Sequence, residues 1–140
     1  MSLSELHSLL PLLIPAGMSL VILLLGATPM KSVWLFRLTL LALAGGAIAL
    51  YSQTGGAPHT IGQFVVFDSL SRLFCGLLYG ATFFDLLFAR QTIIDENEPG
   101  EIFCAVLLLA LTGMAVVATA THLAAFFLGL EIYTVGLYIL

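Results

Sequence analysis

The sequence predicts an all-α membrane protein of about five transmembrane helices. Of its 140 residues, 61% are hydrophobic and only 9% are charged, whereas soluble domains carry roughly a quarter charged residues. The mean hydropathy is +1.14. The apolar residues fall into five segments of 18 or more residues each, and roughly 20 helical residues cross a bilayer. These segments do not alternate polar with apolar residues, as membrane strands would.

The first two predicted spans cover residues 9–27 and 33–51. We expect Pro11 and Pro15 in the opening turns of the first span, where a missing backbone N–H costs least. Arg37 lies near the start of the second span, so its long side chain can reach the membrane surface. A Gly- and Pro-containing loop, residues 53–58, ends this span.

The remaining spans are predicted at residues 69–89, 102–120 and 123–140. Residues 59–67 are predicted to form a short turn or strand at the membrane surface. Asp68 and Arg72 have the i,i+4 spacing of a helical ion pair, which we expect at the start of the third span. Within that span, Gly76 and Gly80 form a GxxxG pattern typical of close helix packing.

The distribution of positive charge predicts the orientation in the membrane. Lys31, Arg37 and Arg90 flank the first and third loops, whereas only Arg72 lies near the second loop and none lies near the fourth. Cytoplasmic loops are enriched in Lys and Arg. We therefore expect a multi-pass protein with its amino terminus outside.

The composition also excludes several kinds of site. Four Lys and Arg residues in the whole chain make no basic patch, so we expect no nucleic-acid partner. The sequence contains no nucleotide-binding, zinc-protease or nucleophile-elbow motif. Cys75 and Cys104 lie in apolar stretches without metal-ligand spacing. The expected surroundings are the lipid bilayer, with no cofactor and no metal bound in this chain.

Glu131 is the strongest candidate for a functional residue. It follows His122 by nine residues, which places it roughly 13 Å deep in a hydrocarbon core of about 30 Å. A charged carboxylate at that depth costs at least a few kcal/mol, so it must be neutral, hydrated or paired. A proton path and a protonated Glu that hydrogen-bonds a neighbouring helix are the two interpretations. Every Lys and Arg lies near a span end, so any counter-charge must come from outside these residues.

Three further features accompany this acid. Asp85 is expected in the last turn or two of the third span, either as a relay acid or as a hydrated acid at the membrane rim. His122, in the turn before the fifth span, is either a proton shuttle or a polar turn residue. Gly129 and Gly136 flank Glu131 and are predicted to let a neighbouring helix close against that face.

Residues 120–140 read ATHLAAFFLGLEIYTVGLYIL. This segment resembles the fifth helix of the antiporter-like subunit N of respiratory complex I, the NADH–quinone oxidoreductase, whose pattern is N-x-L-x-x-x-F-L-G-x-E-x-x-S-x-x-L-Y. Residues 67–74 are similar to the V-D-x-F-A-x-L-F start of that family's third helix, and residues 101–103 to the G-E-F-Y start of its fourth. The Phe-Leu-Gly-Leu-Glu run is closer to the N type than to the L or M types, which tend to have Trp before the Glu.

The resemblance implies the amino-terminal part of a proton-translocating membrane-arm subunit, truncated relative to its family. Glu131 would be the fifth-helix glutamate of proton transfer and coupling, which the family pairs with lysines on later helices. The chain would be a subunit of an enzyme complex without a redox site of its own. NADH, flavin, iron–sulfur clusters and quinone would bind partner subunits, and the M-type, K-type and J-type subunits would be neighbours in a bacterial inner or equivalent energy-transducing membrane.

Two groups of alternatives stay open. Related complexes with an equivalent subunit include membrane hydrogenases, plastid-type dehydrogenases and multisubunit sodium/proton antiporters. A different class is a small structural membrane anchor or assembly subunit without a transport role. In that protein Glu131 would be a neutral hydrogen-bonding residue.

Overall fold

The computed structural model describes residues 3–28, 32–52, 59–61, 64–95 and 100–140. Lys31 and the loop at 53–58 lie outside the described residues. Five helices carry the fold: α1 (Leu3–Gly26), α2 (Ser32–Ser52), α3 (Ser69–Asp95), α4 (Gly100–Thr119) and α5 (Leu123–Ile139). The strands β1 (His59–Ile61) and β2 (Val65–Phe67) form an antiparallel hairpin. The all-α fold class is confirmed, and the segment predicted as a turn or strand is this hairpin.

Four of these helices, α1 to α4, are long and apolar enough to cross a membrane. Helix α5 is also apolar but has 17 residues. It is about 26 Å long, which is shorter than a hydrocarbon core of about 30 Å. A membrane span at α5 therefore stays a prediction.

The two prolines of α1 do not lie in its opening turns, and that prediction was wrong. Because α1 begins at Leu3, both prolines are inside the helix. Pro15 has no N–H, so the carbonyl of Pro11, four residues earlier, has no donor partner within α1. The Tyr79 hydroxyl of α3 donates to that carbonyl. Gly46 of α2 makes room for this contact, because a Cβ there would overlap the Tyr79 ring.

Helix α4 is the centre of the bundle. It packs against α1, α2, α3 and α5, and most of its residues are buried. The hydroxyls of Thr112 and Thr119 donate to the carbonyls four residues earlier, each at 2.8 Å. Ser19 of α1 donates to the Ala105 carbonyl at 2.9 Å. Each of these buried hydroxyls therefore has an acceptor, as apolar surroundings require.

Contacts at both ends of the bundle define an up-and-down arrangement. At one end, Gly26 at the end of α1 lies against the side chain of Glu101 at the start of α4. At the other end, Val65 of β2 forms a bridge with Ala120, which follows α4. The connections after α1 and α3 therefore lie together, and so do those after α2 and α4. Antiparallel neighbouring spans require this alternation.

Candidate functional site

Glu131 is the middle residue of the 17-residue helix α5, about 12 Å from either helix end. Its side chain is exposed. Within the part of the chain that the structure describes, its carboxylate makes no hydrogen bond or ion pair. Thr134 donates to the backbone carbonyl of Glu131 at 3.0 Å, within the same helix. The carboxylate therefore points away from the other four helices.

The surface around this carboxylate is apolar. Phe127, Glu131, Thr134 and Tyr138 follow helical spacing and are all exposed. We call these four residues the outer face of α5. Phe127 is 57% exposed and Tyr138 is 91% exposed, so the aromatic rings on either side of the acid are also uncovered. Glu131 is thus a lone acid on an apolar helix face.

The opposite face of α5 is built from small residues. A Cβ on Gly129 would lie 2.9 Å from the Val117 backbone nitrogen, and one on Gly113 of α4 would lie 2.9 Å from the Gly129 carbonyl. Gly136 is buried against α4 as well. The prediction that Gly129 and Gly136 admit a neighbouring helix is confirmed, and that helix is α4.

The glycines do not share a face with Glu131, and that part of the prediction was wrong. At 100° per residue, Gly129 and Gly136 lie about 160° and about 140° around the helix from Glu131. Gly113, the residue of α4 that α5 approaches, was not among the predicted residues. Its position as the one glycine inside the apolar run of α4 was the available signal.

His122 is the residue before α5 and caps its first turn. Its Nδ1 accepts a hydrogen bond from the Ala124 N–H at 3.3 Å, and its ring packs edge-on against Phe64 with 5.6 Å between centroids. These contacts give His122 a structural role in the turn between α4 and α5. The proton-shuttle alternative stays a prediction.

Asp85 lies six residues before Gln91, where the apolar span of α3 ends, which is within the last two turns of that span. Helix α3 continues to Asp95, so Asp85 lies about 15 Å before its end. The side chain is exposed between Phe84 and Phe88, which are 60% and 80% exposed. Helices α3 and α5, which carry the two candidate acids, both pack against α4. A relay role for Asp85 stays a prediction.

Asp68 caps the start of α3. Its carboxylate accepts a hydrogen bond from the Ser71 N–H at 2.7 Å, as side chains at helix starts commonly do. That hydrogen bond is the main reason why the pKa of Asp68 lies below its ordinary value, and the positive charge of Arg72 contributes less. The Arg72 guanidinium itself donates to the Phe67 carbonyl at 3.3 Å. Asp68 thus acts chiefly as a helix cap. It also interacts electrostatically with Arg72, as the spacing of the two residues predicts.

No protein-family model matches the chain. The chain is 34% identical over 141 aligned positions to the NADH-quinone oxidoreductase subunit N of Geotalea uraniireducens, and 33% identical to that of Geobacter metallireducens. Both alignments cover 100% of this chain but only 29% and 30% of the relatives. The chain therefore spans less than a third of the length of the curated relatives it matches.

The similarity to these relatives and the four apolar helices together indicate that the chain is an integral membrane protein. The similarity includes the residues around Glu131 but is not confined to them, since it extends over all five helices. The resemblance to subunit N of NADH-quinone oxidoreductase that the sequence predicts is confirmed along the whole chain, as a similarity to part of that subunit.

Proposed function

We propose that this chain is part of the membrane arm of a NADH-quinone oxidoreductase, and that Glu131 takes part in proton translocation coupled to quinone reduction in other subunits. The observation that carries the proposal is the lone carboxylate at the middle of α5, on an apolar outer face. A charged acid near the bilayer centre costs about 3 kcal/mol or more. It persists there only when it is neutral, hydrated or paired, and a change between these states is what a proton path needs.

The counter-charge in this proposal comes from outside the 140 residues. Arg37 lies near the start of α2, and Arg72 and Arg90 lie toward the two ends of α3. None of these cations contacts Glu131 in the described part of the chain. The relatives are more than three times as long as this chain. We propose that helices equivalent to their remaining length cover the outer face of α5 and bring a cationic or hydrogen-bonding group to Glu131.

The same proposal extends to partners and membrane. Other membrane-arm subunits, including the M type and the small K and J types, would be neighbours. NADH, flavin, iron–sulfur clusters and quinone would bind in those or other partner subunits. The membrane would be a bacterial inner or equivalent energy-transducing membrane, with the amino terminus outside.

The test compares Glu131→Gln with Glu131→Ala in the full-length protein within the assembled complex. Proton uptake into vesicles and NADH–quinone electron transfer are measured on the same preparation. We expect both variants to lower proton translocation by tenfold or more, because neither side chain can carry the exchanged proton. Thr134→Val is the matched control, since it removes a polar group from the same outer face and leaves Glu131 in place.

A structural anchor predicts a different result. If Glu131 is only a neutral hydrogen-bonding residue, Gln keeps both its donor and its acceptor. Normal proton translocation in a fully assembled Glu131→Gln complex would therefore overturn the proposal in favour of the anchor. Assembly is checked by the subunit composition of the purified complex, so that loss of assembly is not counted as loss of translocation.

A further inference from the structure

An apolar groove of about 340 Å³ lies between α2 and α3. Its walls combine small residues with larger apolar ones, among them Leu40, Ala44, Ala47, Gly80 and Phe83. The GxxxG pattern on α3 borders this groove, and Gly80 does not pack closely, because a Cβ there would meet nothing within 4 Å. The close packing predicted from the pattern therefore holds at Gly76, where a Cβ would lie 3.3 Å from the Tyr51 hydroxyl of α2, but not at Gly80, which borders the groove.

The groove has a polar mouth. A second depression of about 370 Å³ shares Leu50, Tyr51 and Gly76 with the first, so the two are continuous. It reaches Ser69 and Arg72 in the first turn of α3. The mouth thus lies where α2 ends and α3 begins, at the end of the bundle that carries the hairpin.

The length of the groove matches one leaflet of a bilayer. Eleven residues separate Arg72 from Phe83 on α3, and eleven separate Tyr51 from Leu40 on α2. Eleven helical residues rise about 16 Å, and half of a hydrocarbon core is about 15 Å. The groove therefore runs from the membrane surface to near the middle of the membrane.

We propose that this groove is a binding site for one phospholipid, with an acyl chain in the apolar part and the phosphate at Arg72. A guanidinium matches a phosphate group well, because its paired N–H donors bind two oxygens at once. A transmembrane helix fits the groove less well, since a helix crosses both leaflets whereas the groove stops near the middle of the membrane.

The neighbouring acid indicates the class of headgroup. Asp68 is close enough to Arg72 for the two charges to interact, and its carboxylate would repel a purely anionic headgroup. A zwitterionic headgroup avoids this repulsion, because its phosphate can face Arg72 while its ammonium lies toward the acid. Among zwitterionic lipids, phosphatidylethanolamine has an ammonium with N–H groups that can donate to a carboxylate, so it is the lipid class that we assign to the site.

Gly80 offers a way to block the groove without disturbing the bundle. Because a Cβ at Gly80 points into open space, the side chain of Gly80→Leu would occupy the groove itself. Gly17 on α1 is the matched control, since it is an exposed helical glycine whose added Cβ also meets nothing within 4 Å. Gly17→Leu makes the same chemical change away from the groove.

The experiment uses the full-length protein in its assembled complex, reconstituted in phosphatidylethanolamine–phosphatidylglycerol vesicles. A trace of phosphatidylethanolamine carries a photoreactive diazirine in its acyl chain, and mass spectrometry locates the cross-links. We expect labelling concentrated at residues that line the groove, at least fivefold lower in Gly80→Leu and unchanged in Gly17→Leu. Arg72→Gln should also lower it, and a phosphatidylglycerol probe should label the groove less.

Several outcomes would overturn the assignment. Equal labelling of the groove in wild type and Gly80→Leu would show that the lipid does not occupy it. Labelling spread evenly over all outward-facing helices would indicate bulk lipid only. A groove that stays unlabelled while other outward-facing helices are labelled would mean that protein, and not lipid, covers it in the complex. None of these results depends on proton translocation, so the lipid site can be refuted without refuting the role of Glu131, and the reverse.

Discussion

At the scale of single residues, Tyr79 compensates for a defect that proline introduces into α1. The hydroxyl crosses from α3 to the Pro11 carbonyl, and Gly46 of α2 leaves space for the ring. Three helices thus meet at one hydrogen bond. The sequence shows that Pro15 lacks an N–H donor, but the residue that donates in its place, Tyr79, lies 68 positions from Pro11. No local pattern identifies such a distant partner.

Tyr79→Phe tests this contact. The ring would still fill its site, but the buried Pro11 carbonyl would lose its donor, which costs about 1–3 kcal/mol. We expect a lower midpoint of thermal unfolding for the full-length variant in detergent. Tyr138→Phe is the control, because Tyr138 is 91% exposed and its hydroxyl should contribute little. Equal midpoints for the two variants would contradict the role of Tyr79.

The candidate site could be predicted only in part at this scale. A lone acid far from any Lys or Arg along the chain identifies Glu131, and its position in the middle of α5 agrees with that prediction. The direction of its side chain depends on which face of α5 packs on α4. The full length of α3 was not predicted, because a helix can continue past its apolar stretch, and the polar residues after Ala89 are still helical.

At the scale of elements, the packing of α4 on α5 determines where Glu131 points. Gly113 and Gly129 bring the two backbones together, and small residues at such crossings are what allow membrane helices to approach closely. With the glycine face held by α4, the carboxylate is left on the outer face of α5. The orientation of the candidate site therefore depends on glycines that do not touch it.

Gly113→Ala should disturb this crossing. Its Cβ would lie 2.9 Å from the Gly129 carbonyl and 3.0 Å from the Tyr133 Cα, and both contacts are backbone atoms that cannot rotate away. Overpacking of this kind typically costs about 1–3 kcal/mol. We expect lower thermal stability of the full-length protein and weaker proton translocation in the assembled complex, because Glu131 would shift with α5.

Gly17→Ala is the control for that change, since its added methyl group meets nothing within 4 Å. If Gly113→Ala unfolds at the same temperature as Gly17→Ala, the close crossing of α4 and α5 is not important for stability. Retained stability with altered translocation would instead show that the glycine positions α5 without holding the bundle together.

The helices themselves were largely predictable because their residues are continuously apolar. The starts of α3 and α5 agree with the prediction, and α2 and α4 differ from it by one or two residues at each end. Helix α1 begins six residues earlier than predicted and α3 ends six residues later. Both extensions consist of mixed polar and apolar residues. The continuous apolar sequence ends there, but the backbone hydrogen bonds of the helix continue.

At the scale of the whole molecule, the contacts at the two ends restrict the topology to two orientations. The Gly26–Glu101 contact and the Val65–Ala120 bridge place alternate connections at opposite ends. If one connection is cytoplasmic, the side of every other connection follows. The charge asymmetry then selects the orientation with the amino terminus outside, which stays a prediction.

Cysteine labelling can test that orientation, because Cys75 and Cys104 are each only 1% exposed and should react slowly. Ala27→Cys and Ser52→Cys place an exposed thiol after α1 and at the end of α2. In a full-length protein without other accessible cysteines, we expect a membrane-impermeant maleimide to label position 52 in intact spheroplasts. Position 27 should react only after permeabilisation. The reverse pattern would invert the orientation, and labelling of both positions from one side would contradict the antiparallel bundle, since α2 would then not cross the membrane.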